Sequence, residues 1–257
     1  MVDFQLVSIL LPAFVAGLLV LSTHVVLGQQ VLKRGIIFID LAIAQVAALG
    51  AIVSHINHDI EALPFSHVWM PAIFALAGAG TIAWLARHFE QELEAFIGSF
   101  YVLSAVAAML LLANDPHGAE LLKQLMNGQI LWVSWEQLTL PAIAYGGILL
   151  LIALKPQVLE GVGFYFLFAL VITLSVELVG VYLVFSTLIL PALALNQYAG
   201  KGKLAIAYVV GVVGYMLGLL LSASLDLPSG AAIVACLAVS AAVCRGLFAV
   251  KARRTLG

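Results

Sequence analysis

Residues 161–199 read GVGFYFLFALVITLSVELVGVYLVFSTLILPALALNQYA and contain one charged side chain, Glu177. An α-helix crosses a hydrocarbon core of about 30 Å with about 20 apolar residues, so this stretch is long enough for two short helices. One continuous helix would move Lys201, Lys203 and the basic C-terminus away from the side that holds the other basic residues. We therefore predict two short helices that break near Glu177 and Gly180. Broken helices at membrane depth often line a substrate path.

The remainder of the chain is equally apolar. Hydrophobic residues make up 64% of the 257 residues and charged residues 9%, with a mean hydropathy of +1.15. A soluble domain carries about 25% charged residues because its surface faces water, so lipid must be the solvent here. The composition predicts an all-α polytopic membrane protein, one bundle of about eight or nine transmembrane helices over residues 1–257. Its apolar runs lie at about 4–26, 36–54, 69–86, 95–113, 138–154, 161–176, 179–197, 204–223 and 229–250.

Basic residues follow alternate apolar runs, and this pattern orients the bundle. Cytoplasmic loops of membrane proteins carry an excess of lysine and arginine. With the N-terminus on the extracytoplasmic side, only Lys123 of the 11 basic residues also lies on that side. The cytoplasmic ones are Lys33, Arg34, Arg87, Lys155, Lys201, Lys203, Arg245, Lys251, Arg253 and Arg254. We predict a multi-pass protein of the bacterial cytoplasmic (inner) membrane with its C-terminus inside.

Several classes of function are disfavoured by the sequence. A net charge of −2 and scattered basic residues argue against nucleic-acid binding. Cys236 and Cys244 form no metal or redox motif, and the chain has no GxxxxGK[ST] phosphate loop and no HExxH motif. We therefore expect no permanently bound cofactor and no enzymatic activity of the chain itself. Active transport would draw its energy from an ion gradient or from a separate ATPase subunit.

Histidines and an acid cluster in a segment that the predicted topology places outside the membrane. They are His55, His58, Asp59 and His67. Imidazole and carboxylate suit zinc, iron, nickel or manganese, and spacings of three or four residues place ligands on one helical face. These residues predict a metal-capturing outer mouth. The alternative is a solvated polar loop, since no closed zinc-finger spacing is present.

Three polar side chains inside the apolar runs are candidates for the translocation path, because such groups are costly in lipid. Asp40 and Gln45 lie five residues apart in the second run and therefore on different helical faces. Asp40 is near the predicted cytoplasmic end, where pairing with Lys33 or Arg34 is the alternative explanation. Glu177 lies at the predicted helix break, where it could meet a cation, cap a short helix or lie near the outer surface.

Five stretches together resemble the permease subunits of zinc, manganese and iron ABC importers. They are residues 31–50 (beginning VLKRGIIF and ending AALG), 94–98 (EAFIG), 125–131 (LMNGQIL), 179–194 (VGVYLVFSTLILPALA) and 225–231 (LDLPSGA). The stretch at 179–194 is the most specific of them. All five follow the order of the family across about residues 30–245.

The resemblance implies a type II-like ATP-driven importer. It implies a homodimer of two permease copies, two cytoplasmic ABC ATPase subunits, and an extracytoplasmic metal-binding protein that delivers the transported divalent ion. It also implies that residues 192–203 form a cytoplasmic coupling segment pressed against the ATPase. The residues expected to serve this coupling are Pro191, Ala194, Asn196, Gln197 and Tyr198.

The second apolar run departs from the family pattern. Family members commonly carry an aspartate and, four residues later, a histidine, which suit the passing ion as ligands. With Phe38 and Gly50 as anchors, those positions are Leu41 and Gln45 here, and Asp40 is displaced by one residue. The chain would then carry a different metal, carry a chelated metal, or bind the ion more loosely.

Two other functions are left open by the sequence. A gradient-driven secondary carrier of a cation or small solute would also use broken helices and intramembrane acids. A non-transporting membrane scaffold would give the outer histidines and the helix break no role. The order of the motifs and the predicted cytoplasmic loop after Pro191 favour the importer. The metal stays unnamed, because histidine and carboxylate accept several first-row ions.

Overall fold

The structure is a computed structural model that describes residues 4–113, 115–128, 130–196, 198, 200 and 202–255, with the side chains of 4–7, 58, 124, 125, 127 and 249–255 left out. Within these ranges the chain is helical and contains no β-strand. The α-helices are α1 (Phe4–Arg34), α2 (Ile39–Ile56), α3 (His58–Glu61), α4 (Ser66–His88), α5 (Leu93–Leu111), α6 (Gly118–Asn127), α7 (Trp135–Leu154), α8 (Gly163–Val179), α9 (Val181–Ala194), α10 (Lys203–Leu225) and α11 (Ser229–Thr255). Short 3₁₀ segments lie at Glu90–Glu92, Ile130–Trp132 and Pro156–Leu159.

Seven of the described helices are long and apolar enough to cross a membrane, namely α1, α2, α4, α5, α7, α10 and α11. α8 and α9 are shorter apolar helices of 17 and 14 residues. Each predicted apolar run therefore corresponds to one helix, and the prediction of an all-α, multi-pass membrane protein is confirmed. The largest difference in bounds concerns α1, which continues past its apolar run through Gln29 and Gln30 to Arg34.

The break in the longest apolar stretch lies at Gly180. This residue has φ 81° and ψ 162°, a conformation that is essentially restricted to glycine. α8 therefore ends at Val179 and α9 begins at Val181. Gly128 packs directly on the break: a Cβ atom placed on it would lie 2.3 Å from the carbonyl carbon of Val179 and 2.5 Å from the nitrogen of Gly180. Two glycines thus permit backbone-on-backbone packing at the predicted helix break.

The chain divides into two compact units. The first consists of Met1–Arg34, Asn127–Gly146 and Leu178–Gly257. In this unit α1 packs against α9 and α10, and α11 also packs against both of them. Gly218 of α10 approaches α11 so closely that a Cβ atom on it would lie 2.4 Å from Cα of Ile233. Small residues permit such approaches in lipid, where no hydrophobic force drives helices together.

The second unit consists of Gly35–Met126 and Gly147–Glu177. Its centre is α2, which packs against both α4 and α5. A Cβ atom on Gly50 of α2 would lie 2.8 Å from the carbonyl oxygen of Met70, so the two helices touch there. Whether the two units function as the single permease domain predicted over residues 1–257 stays a prediction.

Candidate translocation path and coupling segment

The predicted path residues Asp40 and Gln45 are buried in α2, at the centre of the second unit. Asp40 is 1% exposed and Gln45 is 2% exposed. Among the described residues, neither carboxylate oxygen of Asp40 has a hydrogen-bond partner. The side-chain oxygen Oε1 of Gln45 has none either. A buried polar group without a partner is costly, most of all in a membrane segment. Both residues therefore stay candidates for contact with a polar cargo.

A second acid, Glu94, lies at the same end of this unit as Asp40. Each occupies the first turn of its helix, where the helix dipole favours a carboxylate. Oε1 of Glu94 accepts a hydrogen bond of 3.2 Å from the backbone N–H of Phe38, and Oε2 is buried without a described partner. Glu94 therefore secures the turn that precedes α2. The sequence marked Glu94 as part of a family motif but not as a site residue.

Among the described side chains, His55 lies near acids other than the Asp59 that the sequence grouped with it. Nδ1 of His55 lies 3.5 Å from Oε1 of Glu61, and its Nε2 lies 4.0 Å from Oδ2 of Asp115. Asp59 is exposed, and its backbone N–H binds the side chain of Asn57 instead. Glu61 and Asp115 are thus the acids near His55. Asp115 lies about 60 residues away in sequence, so spacing alone could not find it.

His67 and Glu177 belong to two helices of the second unit. His67 lies in the first turn of α4, Glu177 lies near the end of α8, and the two interact electrostatically. Both are exposed. The side chain of His58 lies outside the described residues. Among the residues that are described, no group of three His, Cys, Asp or Glu side chains is arranged to hold a metal ion.

His24, which lies within an apolar run, was not among the site residues predicted from the sequence. His24 lies within α1 and is fully buried at 0% exposure. Nδ1 of its ring lies 3.3 Å from Oγ1 of Thr23, and its Nε2 has no hydrogen-bond partner among the described residues. The rule applied to Asp40, that ionisable groups within apolar runs are candidates, would have identified His24 as well.

An open pocket of about 690 Å³ lies in the first unit. Its wall is formed by Gly128, Leu131 and Trp132, by the first turn of α9, and by Pro228 with the first three turns of α11. The polar side chains of the lining are Tyr182, Ser229 and Trp132, with no histidine, cysteine or acid among the described lining residues. This pocket therefore lacks the side chains that bind a bare metal ion.

The predicted coupling segment follows α9 in the first unit. Pro191 and Ala194 are buried in the last turns of α9, and Asn196 is exposed in the turn that follows. Tyr198 is half-buried, and Gln197 lies outside the described residues, as do Ala199 and Lys201.

α11 contacts this segment at two places. Nη1 of Arg245 donates a hydrogen bond of 3.2 Å to the carbonyl oxygen of Leu193. The ring of Phe248 lies 4.6 Å from the ring of Tyr198, measured between centroids. Carbonyl groups in the last turn of a helix lack intrahelical partners, and a cation there is favourable. The end of α9 and the start of the predicted coupling segment are thus held against α11.

Comparison with known proteins shows three similarities that cover most of the chain. A curated uncharacterized membrane protein of Synechocystis sp. is 27% identical over 244 residues, which is 86% of this chain and 84% of that protein. A chain of PsaBC from Streptococcus pneumoniae, solved in complex with Fab, superposes with a TM-score of 0.73 at 21% identity, covering 94% of this chain and 91% of the other.

A second solved structure shares the fold. It is an ABC transporter described as being of metal-chelate type, in an inward-facing conformation, with a TM-score of 0.63 and 16% identity. The alignment covers 95% of this chain and 85% of that one. The model of the ABC 3 transport family matches residues 6–160 and 152–245 of the sequence. The chain therefore belongs to the ABC 3 transport family, the permeases of metal ABC transporters.

Proposed function

We propose that the chain is the membrane permease of an ATP-driven importer for a divalent metal ion, with zinc, manganese and iron as candidate cargoes. The observation that carries this proposal is the family match, which runs from α1 into α11. The apolar, multi-pass architecture supports it, because a permease must enclose a path through lipid. The chain itself is a transport subunit, and ATP hydrolysis would reside in a partner.

The proposed assembly contains two copies of the permease, two cytoplasmic ABC ATPase subunits and an extracytoplasmic metal-binding protein. Family membership supports the ATPase and the binding protein. The N-terminus would lie outside and the C-terminus inside the bacterial cytoplasmic membrane, because this orientation places nearly all lysines and arginines on the cytoplasmic side. The binding protein would then dock at the outer ends of the helices and the ATPase at the inner ends.

Residues 192–203 are proposed to receive the ATPase. They join α9 to α10, and the contacts of Arg245 and Phe248 connect them to α11. Movement of this segment would therefore be passed directly to α9 and α11. These two helices also wall the pocket of the first unit at their opposite ends. ATP-driven motion could in this way reshape the outer end of the path.

The metal path is proposed to use weak, separate ligands. Asp40 and Gln45 are buried without described partners, and Glu177 lies near the break at Gly180. Gln45, an amide where the family has an imidazole, would hold the ion less tightly. Loose binding suits a permease, which must release its cargo, whereas selectivity would belong to the delivering binding protein.

Transport of radiolabelled ions by the reconstituted complex tests the proposal. Proteoliposomes containing the permease and its ATPase would be loaded with ATP, supplied with the binding protein, and assayed for uptake of labelled zinc, manganese and iron. ATP-dependent uptake of at least one of these ions is expected. A sodium or proton gradient imposed without ATP is the control.

A gradient-driven carrier would give the opposite result in the same assay. Uptake that follows an imposed gradient and ignores ATP would contradict the importer. A complex that moves none of the ions, free or chelated, under either condition would contradict metal transport altogether.

The outer mouth makes a separate prediction. Replacing His55 and His67 with alanine removes the imidazoles that lie near Glu61, Asp115 and Glu177. If these groups capture metal, uptake at low metal concentration should fall while the maximal rate is retained. His88→Ala is the matched control, because His88 is also exposed but caps the carbonyl oxygen of Trp84 at the far end of α4. Equal concentration dependence in both variants would refute a metal-capturing mouth.

A further inference from the structure

We propose that His24 of α1 is a ligand for the transported divalent metal ion within the membrane, through the lone pair of its Nε2. The inference rests on the proposed function, because it names a ligand for the cargo of that transport. His24 is not part of the family motif in α2. All of the contacts that support the inference lie within the first unit.

His24 lies within the apolar run of α1, near the end of that run at about residue 26. Ionisable side chains inside membrane-spanning helices are rare and most often serve an ion or proton path.

The surroundings of His24 are closely packed. Gly17, Leu21 and Gly28 share its face of α1, at offsets of seven, three and four residues. Leu21 contacts Gly211 of α10, and Gly28 lies against the backbone of Leu188 in α9. His24 therefore occupies the side of α1 that packs into α9 and α10.

This side of the unit also carries two hydroxyl groups. Gly17 of α1 packs on the ring of Tyr215 in α10, and the hydroxyl of Tyr215 lies 2.8 Å from Oγ1 of Thr187 in α9. Thr187 already donates to the carbonyl oxygen of Leu183, so Tyr215 donates to Thr187. The hydroxyl pair bridges the two helices that His24 faces.

The hydrogen bonds around the ring decide which nitrogen carries the proton. Oγ1 of Thr23 donates its single hydrogen to the carbonyl oxygen of Val20 at 3.2 Å. With that hydrogen committed, Oγ1 is an acceptor for Nδ1–H of His24 at 3.3 Å, and this contact favours the tautomer that is protonated at Nδ1. In a neutral imidazole, Nε2 is then the unprotonated nitrogen. This nitrogen is the buried one that has no partner among the described residues.

This arrangement matches that of a metal-binding histidine. Such histidines donate the ring N–H to a carbonyl or hydroxyl oxygen, which orients the other nitrogen toward the metal. Neutral imidazole is a good ligand for zinc and related first-row ions. His24 belongs to no group of three His, Cys, Asp or Glu side chains in the described part of the chain. One imidazole with hydroxyl or water ligands would bind only briefly, as transport requires.

The test compares His24→Ala with His24→Cys in the reconstituted complex described above. Both variants lose the imidazole and leave a similar space, but only cysteine supplies a metal ligand. His24→Ala should lower the initial uptake rate of the transported ion by about tenfold or more. His24→Cys should respond specifically to zinc, because a thiolate favours zinc over manganese. It should restore zinc uptake or, where the thiolate releases zinc too slowly, make zinc an inhibitor of manganese uptake.

The outcomes separate this inference from the proposed function. Wild-type rates in His24→Ala would overturn it, and so would equal losses in the alanine and cysteine variants for every ion, which indicate a packing role. His88→Ala is the control for loss of a histidine elsewhere. Thermal unfolding of each purified variant identifies a misfolded protein, and the milder His24→Gln then replaces alanine in the comparison. Absence of ATP-dependent uptake in the wild type would instead contradict the proposed function.

Discussion

At the scale of single residues, two glycines determine the geometry of the helix break. Gly180 adopts a conformation that other residues rarely reach, and Gly128 has a φ of +65° and lies on the Val179 carbonyl. Ordinary side chains at either position would need the backbone to move. The break is therefore specified by the absence of Cβ atoms, rather than by Glu177 nearby.

We predict that Gly128→Ala destabilises the protein. Its Cβ would collide with backbone atoms of Val179 and Gly180, which cannot rotate away as a flexible side chain could. Overpacking of this kind costs about 1–3 kcal/mol. The measurement is the melting temperature of the purified protein in detergent. Gly98→Ala is the control, since a Cβ there meets nothing within 4 Å, and equal melting temperatures for the two variants would contradict the prediction.

At the scale of helices, α11 links the predicted coupling segment to the membrane-spanning part of the first unit. Its C-terminal part contacts Leu193 through Arg245 and Tyr198 through Phe248. Further along, Ile233 and Leu237 are interlocked with Gly218 and Gly214 of α10. These contacts involve backbone atoms and closely packed rings. A displacement at one end of α11 is therefore transmitted to its other end with little loss.

We predict that Arg245→Ala uncouples ATP hydrolysis from transport. The lost bond at the end of α9 is worth about 0.3–1 kcal/mol, too little to unfold the bundle but enough to loosen the segment. The number of ions transported per ATP hydrolysed should fall, and Arg245→Lys should recover part of it by keeping a cation there. Arg87→Ala, at the C-terminus of α4, is the control. An unchanged ratio in Arg245→Ala would argue that α11 does not support coupling.

At the scale of the whole molecule, the distribution of basic residues predicts the orientation in the membrane. Leu63 lies in the segment between α3 and α4, and Glu160 lies between α7 and α8; both are exposed. In a background with Cys236 and Cys244 replaced by alanine, Leu63→Cys should react with a membrane-impermeant maleimide on intact cells. Glu160→Cys should react only after permeabilisation. The reverse pattern would show that the N-terminus lies inside.

The sequence by itself determined the helical, multi-pass architecture. Lipid imposes one requirement on every span, a long apolar segment with its backbone hydrogen bonds made internally, and this requirement can be recognised from a local run of residues. The break between α8 and α9 could be predicted because one continuous helix over 161–199 would move Lys201, Lys203 and the basic C-terminus away from the other basic residues. Family motifs in order along the chain added the class of transporter.

Only the tertiary structure decided which polar groups meet. Asp115 approaches His55, and Arg245 reaches Leu193 across 52 positions, because helices distant in sequence pack side by side. The partnerless Nε2 of His24 likewise depends on α9 and α10 closing around α1. Burial and pairing are properties of packed helices, whereas hydropathy and helix length are properties of one segment. The spans could therefore be predicted from the sequence, but the placement of the polar residues could not.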